Sequence, residues 1–422
     1  MSSPKLSATP EHKLGEREMI AMMAMLMSLQ AFGIDSMLPA LGIMSDELGA
    51  SGNDRQYVIG AYFLGSGIGA FLPGAFADRF GRRPVLFFGL FSYVVLSLAC
   101  AWISDFGVLI AIRLIQGIAC AGLSVVPTAI VRDHVGGDRM ARLMSLIIMI
   151  FLAVPIVAPA IGQVILIFAG WRMIFVLMAV AAVIVGLWMW RRLPESLLKE
   201  NVQQIEPRVI LRNMGHSLAN RVSLGYALGS ALIFGSLFGF LNSSQQLIGE
   251  SFGAGDYFAV IFGGSVLGMV VSSFLNARIV ERFGARRVSH SALFGFLGVS
   301  LAQLYFAQSG SQTLWSFIPL LSFSMAMLGF VGANFSSIAM QPYAAIAGAA
   351  SSAQTSLRLV TSAIVGAVIG QAYDGSAVPL AFAMVMCALA SLGLVLFGER
   401  GKLFRRPSQA RRYMIMHDIM RG

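Results

Sequence analysis

Charged residues are scarce in this chain, and their scarcity narrows the classes of protein to which it can belong. Only 12% of the 422 residues are Asp, Glu, Lys or Arg, whereas 57% are apolar. A water-soluble domain covers its core with polar and charged side chains, and this composition supplies too few of them. The composition therefore excludes an ordinary water-soluble enzyme or binding domain.

Cysteine and histidine are also rare, and their positions argue against metal and redox chemistry. Cys100, Cys120 and Cys387 lie in apolar stretches at no spacing typical of a metal or redox site, and the five histidines are scattered. The pair His134 and Asp138 has no accompanying catalytic motif. The absence of a Gly-x-x-x-x-Gly-Lys-Ser/Thr phosphate loop disfavours an ATP-driven pump. We expect no metal, no cofactor and no enzymatic activity.

Long apolar runs take up most of the sequence. Each run is long enough to cross a hydrocarbon core of about 30 Å as a helix, and its apolar character is continuous rather than alternating. The predicted fold class is an all-α membrane protein with twelve transmembrane helices in two six-helix pseudo-symmetric bundles. The predicted spans are 19–41, 56–77, 84–104, 107–131, 143–168, 171–190, 222–248, 257–280, 288–307, 314–339, 349–373 and 378–398.

The 30 Lys and Arg residues are distributed unevenly between the loops. If the N-terminus is cytoplasmic, 26 of them lie in cytoplasmic loops and tails, and only Arg55 and Arg172 lie in loops on the other side. This asymmetry follows the positive-inside rule and predicts an integral plasma-membrane protein (the inner membrane in a bacterium) with both termini in the cytoplasm. The net charge of +10 thus reflects topology and contact with anionic lipid, not nucleic-acid binding.

A charged turn occurs twice in the chain. "GAFADRFGRRP" (74–84) aligns with "NARIVERFGARRV" (276–288), so that Asp78 falls on Glu281. Each copy follows the second run of its half, which predicts two parallel repeats related by an axis along the membrane normal. The predicted domains are an N-tail (1–18), a first bundle (19–192), a linker (193–220), a second bundle (221–398) and a basic C-tail (399–422).

The residue types of these turns predict a conformational role. Glycine permits a sharp reversal, the arginines hold the loop at the membrane surface, and Asp78 can face the positive N-terminus of a neighbouring helix. The candidate switch residues are Gly74, Asp78, Arg79, Gly81, Arg82, Arg83, Glu281, Arg282 and Gly284.

Several motifs resemble those of the major facilitator superfamily. "GAFADRFGRRP" resembles the family's loop 2–3 signature, Gly-x-x-x-Asp-Arg-x-Gly-Arg-Arg/Lys. "RLIQGIACAG", with Arg113, Gln116 and Gly117, resembles the Arg-x-x-Gln-Gly pattern of the fourth span. "DSMLPAL", "AIVRD", "GWRMIF" and "LPESL" together resemble the Bcr/CflA (bicyclomycin-resistance-type) branch of drug:proton antiporters.

The fifth run carries a further motif of this kind. "APAIGQ", with Pro159 and Gly162 and preceded by Pro155, resembles the Pro-rich element in the fifth span of drug:proton antiporters. Gln163 departs from the pattern, which commonly has a second glycine at that position.

The resemblance implies a secondary active transporter that exports small molecules or drugs by alternating access. Its partners would be a small-molecule solute and protons, with the proton gradient as the energy source. The resemblance also implies that Asp78 latches the two halves on the cytoplasmic side, where Gly348 to Ser351 offers a helix N-terminus. The motifs do not encode direction, so an importer of a small metabolite, anionic ones included, is the alternative. A non-transporting sensor or a membrane enzyme is a remote one.

Three charged residues lie well inside the apolar runs, away from their ends: Asp35, Arg113 and Arg358. A charge near mid-membrane costs about 2.5–3.5 kcal/mol on insertion scales, so such residues normally face a cavity and serve function. Helical rise places Asp35 and Arg113 at similar depth in the outer third, which allows a proton-sensitive ion pair. Arg358 lies near the midplane, and no acid lies in any predicted span of the second half, which favours neutral or anionic solutes. The alternative is that Arg358 bonds to backbone carbonyls or to Gln354.

Four amide side chains at or within the runs are candidates for the solute cavity. Such residues either line a cavity or form hydrogen bonds between helices, and the sequence does not decide between the two. They are Asn242, Gln245, Gln246 and Asn334.

The charge distribution predicts where a reporter fused after Gly422 will lie. We expect alkaline phosphatase fused there to be inactive and green fluorescent protein to fluoresce, because the basic loops hold that end in the cytoplasm. An active phosphatase at this position would contradict the predicted topology.

Overall fold

The computed structural model describes residues 14–135, 137–197, 212, 215 and 219–404. Its long elements are all helices, and no strand occurs in these residues. The predicted N-tail up to residue 13, most of the linker and the C-tail beyond residue 404 lie outside the described residues.

Eleven helices are long and apolar enough to cross a membrane, and a bent pair of helices makes a twelfth. The predicted all-α fold with twelve spans is therefore confirmed. Spans 1 to 6 are Glu16–Leu48, Asp54–Gly69 with Pro73–Phe80, Arg82–Trp102, Phe106–His134, Arg142–Phe168 and Arg172–Arg192. Spans 7 to 12 are Arg221–Ser251, Gly255–Phe283, Ala285–Gln308, Leu314–Tyr343, Ala350–Gln371 and Val378–Gly398.

Span 1 extends beyond its apolar run, because a second helix follows the first after a short break. Its first helix ends at Asp35, a 3-10 turn with Pro39 at its second position follows, and a second helix runs over Leu41–Leu48. Proline lacks a backbone N–H and suits the first turn of the resumed helix. Span 2 is likewise broken, and its two parts meet at an angle of 49°.

The helix contacts repeat between the two halves. Span 1 packs on span 5, span 2 on span 4 and span 3 on span 6. The corresponding contacts of the second half are span 7 on span 11, span 8 on span 10 and span 9 on span 12. The halves meet through spans 2 and 11 and through spans 5 and 8, which the same symmetry relates.

Glycines at equivalent positions allow this close packing. A Cβ on Gly65 would lie 2.1 Å from the carbonyl oxygen of Leu114 in span 4, and a Cβ on Gly268 would lie 2.2 Å from that of Ser322 in span 10. Both distances are far below van der Waals contact, so neither site accepts a side chain without movement of the backbone.

The halves are joined chiefly at the end that carries loops 1–2, 7–8 and 11–12. We call this the outer end, after the side that the charge distribution predicts, and the opposite one the inner end. Asn53 donates to the carbonyl oxygens of Gln371 and Tyr373, and Arg55 pairs with Glu250 at 2.6 Å. Gln56 also donates to Gln246 across this end. The outer end is closed in this conformation.

Two glycines of span 8 provide a matched test of the packing. We expect Gly268→Ala to destabilise the protein by about 1–3 kcal/mol, because the new methyl group overlaps a backbone carbonyl. Gly264→Ala adds the same methyl group where nothing lies within 4 Å and should not destabilise it. Thermal unfolding of the purified proteins in one detergent measures the difference, and equal unfolding midpoints would contradict the packing.

Candidate transport site

Asp35 lies where the first helix of span 1 ends. Its side chain is 5% exposed, and it has no hydrogen bond or ion pair within the described part of the chain. Gly162 of the Pro-rich motif brings span 5 against this break, since a Cβ there would lie 1.9 Å from the carbonyl oxygen of Ser36. Pro155 and Pro159 lie in the same helix. The motif of span 5 thus packs beside an unpaired acid.

Arg113 lies at the depth expected from its position, but it is not paired with Asp35. Its guanidinium donates to the carbonyl oxygens of Gly33 at 2.9 Å and Val58 at 3.3 Å, and to Gln116 Oε1 at 2.7 Å. The suggested ion pair is therefore absent in this conformation. These bonds use three of the five N–H donors of the guanidinium, and none of the acceptors is a carboxylate.

The remaining residues of the span 4 motif position this arginine. Gln116 donates to Ser97 Oγ at 2.8 Å, which turns its amide oxygen toward Arg113. A Cβ on Gly117 would lie 2.3 Å from the carbonyl oxygen of Tyr62, so the glycine lets span 2 approach. The Tyr62 ring centroid lies 4.3 Å from the guanidinium carbon of Arg113.

Arg358 has a different environment from Arg113. In the described residues its guanidinium has no hydrogen bond and no ion pair, and its carbon lies 4.7 Å from the ring centroid of Phe234. It lines a cavity of about 70 Å³ between spans 7, 10 and 11. Gln354 donates to the carbonyl oxygen of Ala339 at 3.1 Å, so the suggested bond to Arg358 is not formed.

The charged turn of the first half forms a compact ion-pair network. Arg82 is 4% exposed, pairs with Asp78, and donates from Nε to Asp133 at 2.9 Å. Arg82 thus lies between two carboxylates of the protein, whereas Arg79 is exposed and Arg83 is half-buried. Buried guanidinium is tolerated because two carboxylates surround it.

Glu195 of the "LPESL" motif caps the N-terminus of a neighbouring helix, span 3. Its carboxylate accepts the backbone N–H groups of Arg82 at 2.9 Å and Arg83 at 3.0 Å, at the N-terminus of span 3. Negative charge at this position is stabilised by the helix dipole. The described residues show no bond from Asp78 to span 11; the turn approaches that span through Gly74, whose Cβ would lie 3.6 Å from Ser352 Oγ.

The second copy of the turn repeats the backbone but not the network. Gly81 and Gly284 both adopt positive φ, 103° and 84° respectively. Glu281 and Arg282, however, are exposed, and neither forms an ion pair in the described residues. Instead Arg286 pairs with Glu399 at 2.6 Å. The alignment thus predicts the turn and fails for the charge partners.

The amide candidates mostly join helices rather than line a cavity. Gln245 accepts from Arg55 at 2.9 Å, Gln246 accepts from Gln56 at 2.5 Å, and Asn334 donates to Asn276 at 2.7 Å. Asn242 differs, because its buried Oδ1 has no partner. Of the two alternatives, hydrogen bonding between helices applies to the first three.

Sequence reasoning missed residues whose roles depend on contacts between spans. Ser230 is buried, lines the cavity of Arg358 and has an Oγ without a partner. Asn53 and Gln56 close the outer end from loop 1–2. The residue types do not mark these positions, because serine and glutamine are common at helix ends. The spacing of the polar residues on span 11 was the one sequence signal for the cavity of Arg358. Within the described residues, no group of His, Cys, Asp or Glu is arranged to hold a metal ion.

Two pseudo-symmetric six-helix halves, joined at one end and carrying buried charges between and within them, define a membrane transporter. The chain belongs to the Major Facilitator Superfamily, whose model matches residues 21–367. It is a transporter and not an enzyme.

Relatives and solved structures agree with this assignment. A bicyclomycin resistance protein homolog of Haemophilus influenzae is 28% identical over 376 residues, 88% of this chain and 94% of the relative. Multidrug resistance protein MdtL of Klebsiella pneumoniae is 28% identical over 382 residues, 88% and 93%. The fold is similar to a partially occluded inward-open xylose transporter XylE from E. coli (TM-score 0.68, 15% identity, 92% and 99% covered). It is also similar to the human organic anion transporter MFSD10 (0.66, 20%, 90% and 99%).

The ion-pair network of the first turn can be tested with a pair of arginines. We expect Arg82→Met to destabilise the protein strongly, toward the lower end of the roughly 3–5 kcal/mol lost when a buried ion pair is broken, because Asp78 and Asp133 keep some contact with water. Arg79→Met, three residues away and exposed, should change stability little. Thermal unfolding in detergent is the measurement, and similar losses for the two variants would contradict the network.

Proposed function

We propose that this chain is a proton-coupled exporter of small molecules that works by alternating access in a bacterial inner membrane. Its termini would lie in the cytoplasm, and its halves (19–192 and 221–398) would rock about the linker 193–220. Relatives named for bicyclomycin and multidrug resistance support export of drugs or similar solutes. Transporters of this kind need no cofactor, since an ion gradient supplies the energy.

The observation that carries proton coupling is the environment of Asp35. It is a buried acid in span 1, and among the described residues nothing neutralises or hydrogen-bonds its carboxylate. An ionised carboxylate is costly in such a place, whereas a protonated one is tolerated. A residue that is buried in one conformation and reached by water in the other can take up and release a proton in each cycle.

The position of Asp35 connects it to the closure of the outer end. The helix Leu41–Leu48 follows it after one turn, and Gly42 of that helix packs against the Gln245 amide, whose nitrogen would lie 3.1 Å from a Cβ there. Gln245 in turn binds Arg55. Opening this end therefore moves the segment next to Asp35 and lets water reach the carboxylate.

Arg113 serves as a fixed cation rather than as the proton's partner in this state. Its bond to the Gly33 carbonyl oxygen, two residues before Asp35, ties span 4 to the same segment of span 1. Arg113 is bound to the segment of span 1 that carries Asp35, so the ionised carboxylate can approach this guanidinium in the other conformation. The bond between Gly33 and Arg113 would couple movement of span 1 to span 4.

A substitution at Asp35 tests the proposal. We expect Asp35→Asn to abolish solute accumulation driven by an imposed pH gradient in inverted membrane vesicles, because an amide binds no exchangeable proton of this kind. Asp46→Asn, an exposed acid in the same span, is the matched control and should transport normally. The pH dependence of transport is read for both variants with a panel of drugs.

The direction of transport separates export from the alternative. Uptake into inverted vesicles corresponds to export from the cell, and a protonophore should abolish it. Solute uptake into whole cells instead would support an importer on the same fold. Undiminished gradient-driven transport by Asp35→Asn would remove this residue from the coupling.

A further inference from the structure

A second charged site lies in the C-terminal half, away from Asp35 and Arg113. The cavity of about 70 Å³ between spans 7, 10 and 11 is lined by polar side chains and contains no acidic residue. Its polar lining residues are Ser230, Ser336, Ser351, Gln354, Thr355 and Arg358.

The polar residues of span 11 form one stripe along the helix. The stripe begins at Ser351, and Gln354, Thr355 and Arg358 follow three, four and seven positions after it. This spacing places all four residues on a single helical face. The stripe runs from the inner end of the protein, where the span starts, toward the outer end. At the usual helical rise, Arg358 lies about 10 Å farther from the inner end than Ser351. Ser351 is exposed at the mouth of the cavity, and Arg358 lies deeper inside it.

Two groups in this cavity have unused hydrogen-bonding capacity. Arg358 has five N–H donors and forms no hydrogen bond or ion pair in the part of the chain that the structure describes. Ser230 is 2% exposed, and its hydroxyl also has no partner. Arg113 shows the contrast, since its guanidinium is fully buried and bonds to protein acceptors, whereas Arg358 is only partly buried and faces the cavity. Native proteins rarely leave a buried hydroxyl such as that of Ser230 unsatisfied, so a group from outside the protein is expected in this cavity.

The guanidinium is held in a fixed position beside this space. The ring of Phe234 packs against it, and the ring itself is held by span 10, since a Cβ on Gly332 would lie 2.7 Å from it. The opposite face of span 11 packs on the other half of the protein, where Ser356 Oγ donates to the carbonyl oxygen of Gly67 at 2.5 Å. Occupancy of the cavity can therefore influence the contact between the halves.

We propose that Arg358 and Ser230 form a subsite that binds the carboxylate of the transported solute. A planar guanidinium matches a carboxylate with two parallel hydrogen bonds, and the serine hydroxyl supplies a further donor. With no acid in the lining, the site repels cations. The volume accommodates about two water molecules, each occupying roughly 30 Å³ in the liquid, which suits a carboxylate but not a whole drug. The body of the solute then extends toward the mouth of the cavity, where Ser351 is exposed.

This subsite rests on the proposed function, because it names the class of solute that the exporter carries. Binding to the purified protein can nevertheless be measured without transport. Asp35→Asn protein should retain the subsite even though its proton-driven transport is lost. The two proposals can therefore fail separately.

The experiment compares aryl carboxylates with the corresponding carboxamides, beginning with 1-naphthoate and 1-naphthamide. Binding to protein in lipid nanodiscs is measured by calorimetry in chloride-free buffer. We expect the wild type to prefer the carboxylates and Arg358→Gln to lose about tenfold or more of carboxylate affinity with amide binding unchanged, as for loss of a charged hydrogen bond. Arg358→Lys should restore part of it.

Further variants keep the test informative if Arg358→Gln does not fold. Ser230→Asp places a carboxylate beside Arg358 and should block added carboxylates while leaving amide binding intact. Ser300→Ala is the control, because Ser300 is a buried serine of the same half that bonds only to its own helix, at the carbonyl oxygen of Phe296. It should bind like the wild type.

Three results would overturn the subsite. The first is equal affinity of the wild type for carboxylates and carboxamides, and the second is carboxylate binding by Ser230→Asp at wild-type strength. The third is thermal stabilisation by sodium chloride alone that disappears in Arg358→Gln, with no carboxylate preference in chloride-free buffer. That outcome would assign the cavity to a free inorganic anion rather than to the solute.

Discussion

The structure depends on one constraint: a charge inside a bundle surrounded by hydrocarbon needs a partner in the protein or access to water. The three charged residues within the spans meet it differently. Arg113 is satisfied by two backbone carbonyls and a glutamine, and it therefore acts as a fixed structural tie between spans 1, 2 and 4. Asp35 has no partner among the residues that the structure describes, and Arg358 faces a cavity. These two unsatisfied residues are the ones that can bind a partner from outside the protein, a proton at Asp35 and a solute at Arg358.

The contacts between the halves are suited to being broken and remade. At the outer end the described residues form mostly hydrogen bonds from neutral amides to other amides or to backbone carbonyls, together with the ion pair of Arg55 and Glu250. Such bonds each contribute modestly in net terms, because water replaces them when they open. Within each half, by contrast, glycine-mediated contacts bring helix backbones together, so the halves stay rigid while the interface between them changes.

The sequence was most informative where chemistry follows directly from residue type. The twelve spans, the repeated turn and the motifs of spans 4 and 5 were all predicted, and Gly81 and Gly284 have the positive φ that the turn requires. The charge partners were not. Arg82 is buried between two carboxylates, Glu195 caps span 3, and Gln245 binds Arg55 of the other half. Each of these depends on a residue more than 50 positions away.

Sequence alone was sufficient for the number of spans, their apolar lengths and the family, because hydrocarbon imposes the same requirement on every helix that crosses it. It was not sufficient for the partner of any buried charge. Arg113 binds carbonyl oxygens of Gly33 and Val58, and every residue has such an oxygen, so no side-chain pattern marks them. Only the packing of spans 1 and 2 against span 4 decides which carbonyls face the guanidinium. In the same packing the carboxylate of Asp35 has no hydrogen bond or ion pair among the described residues.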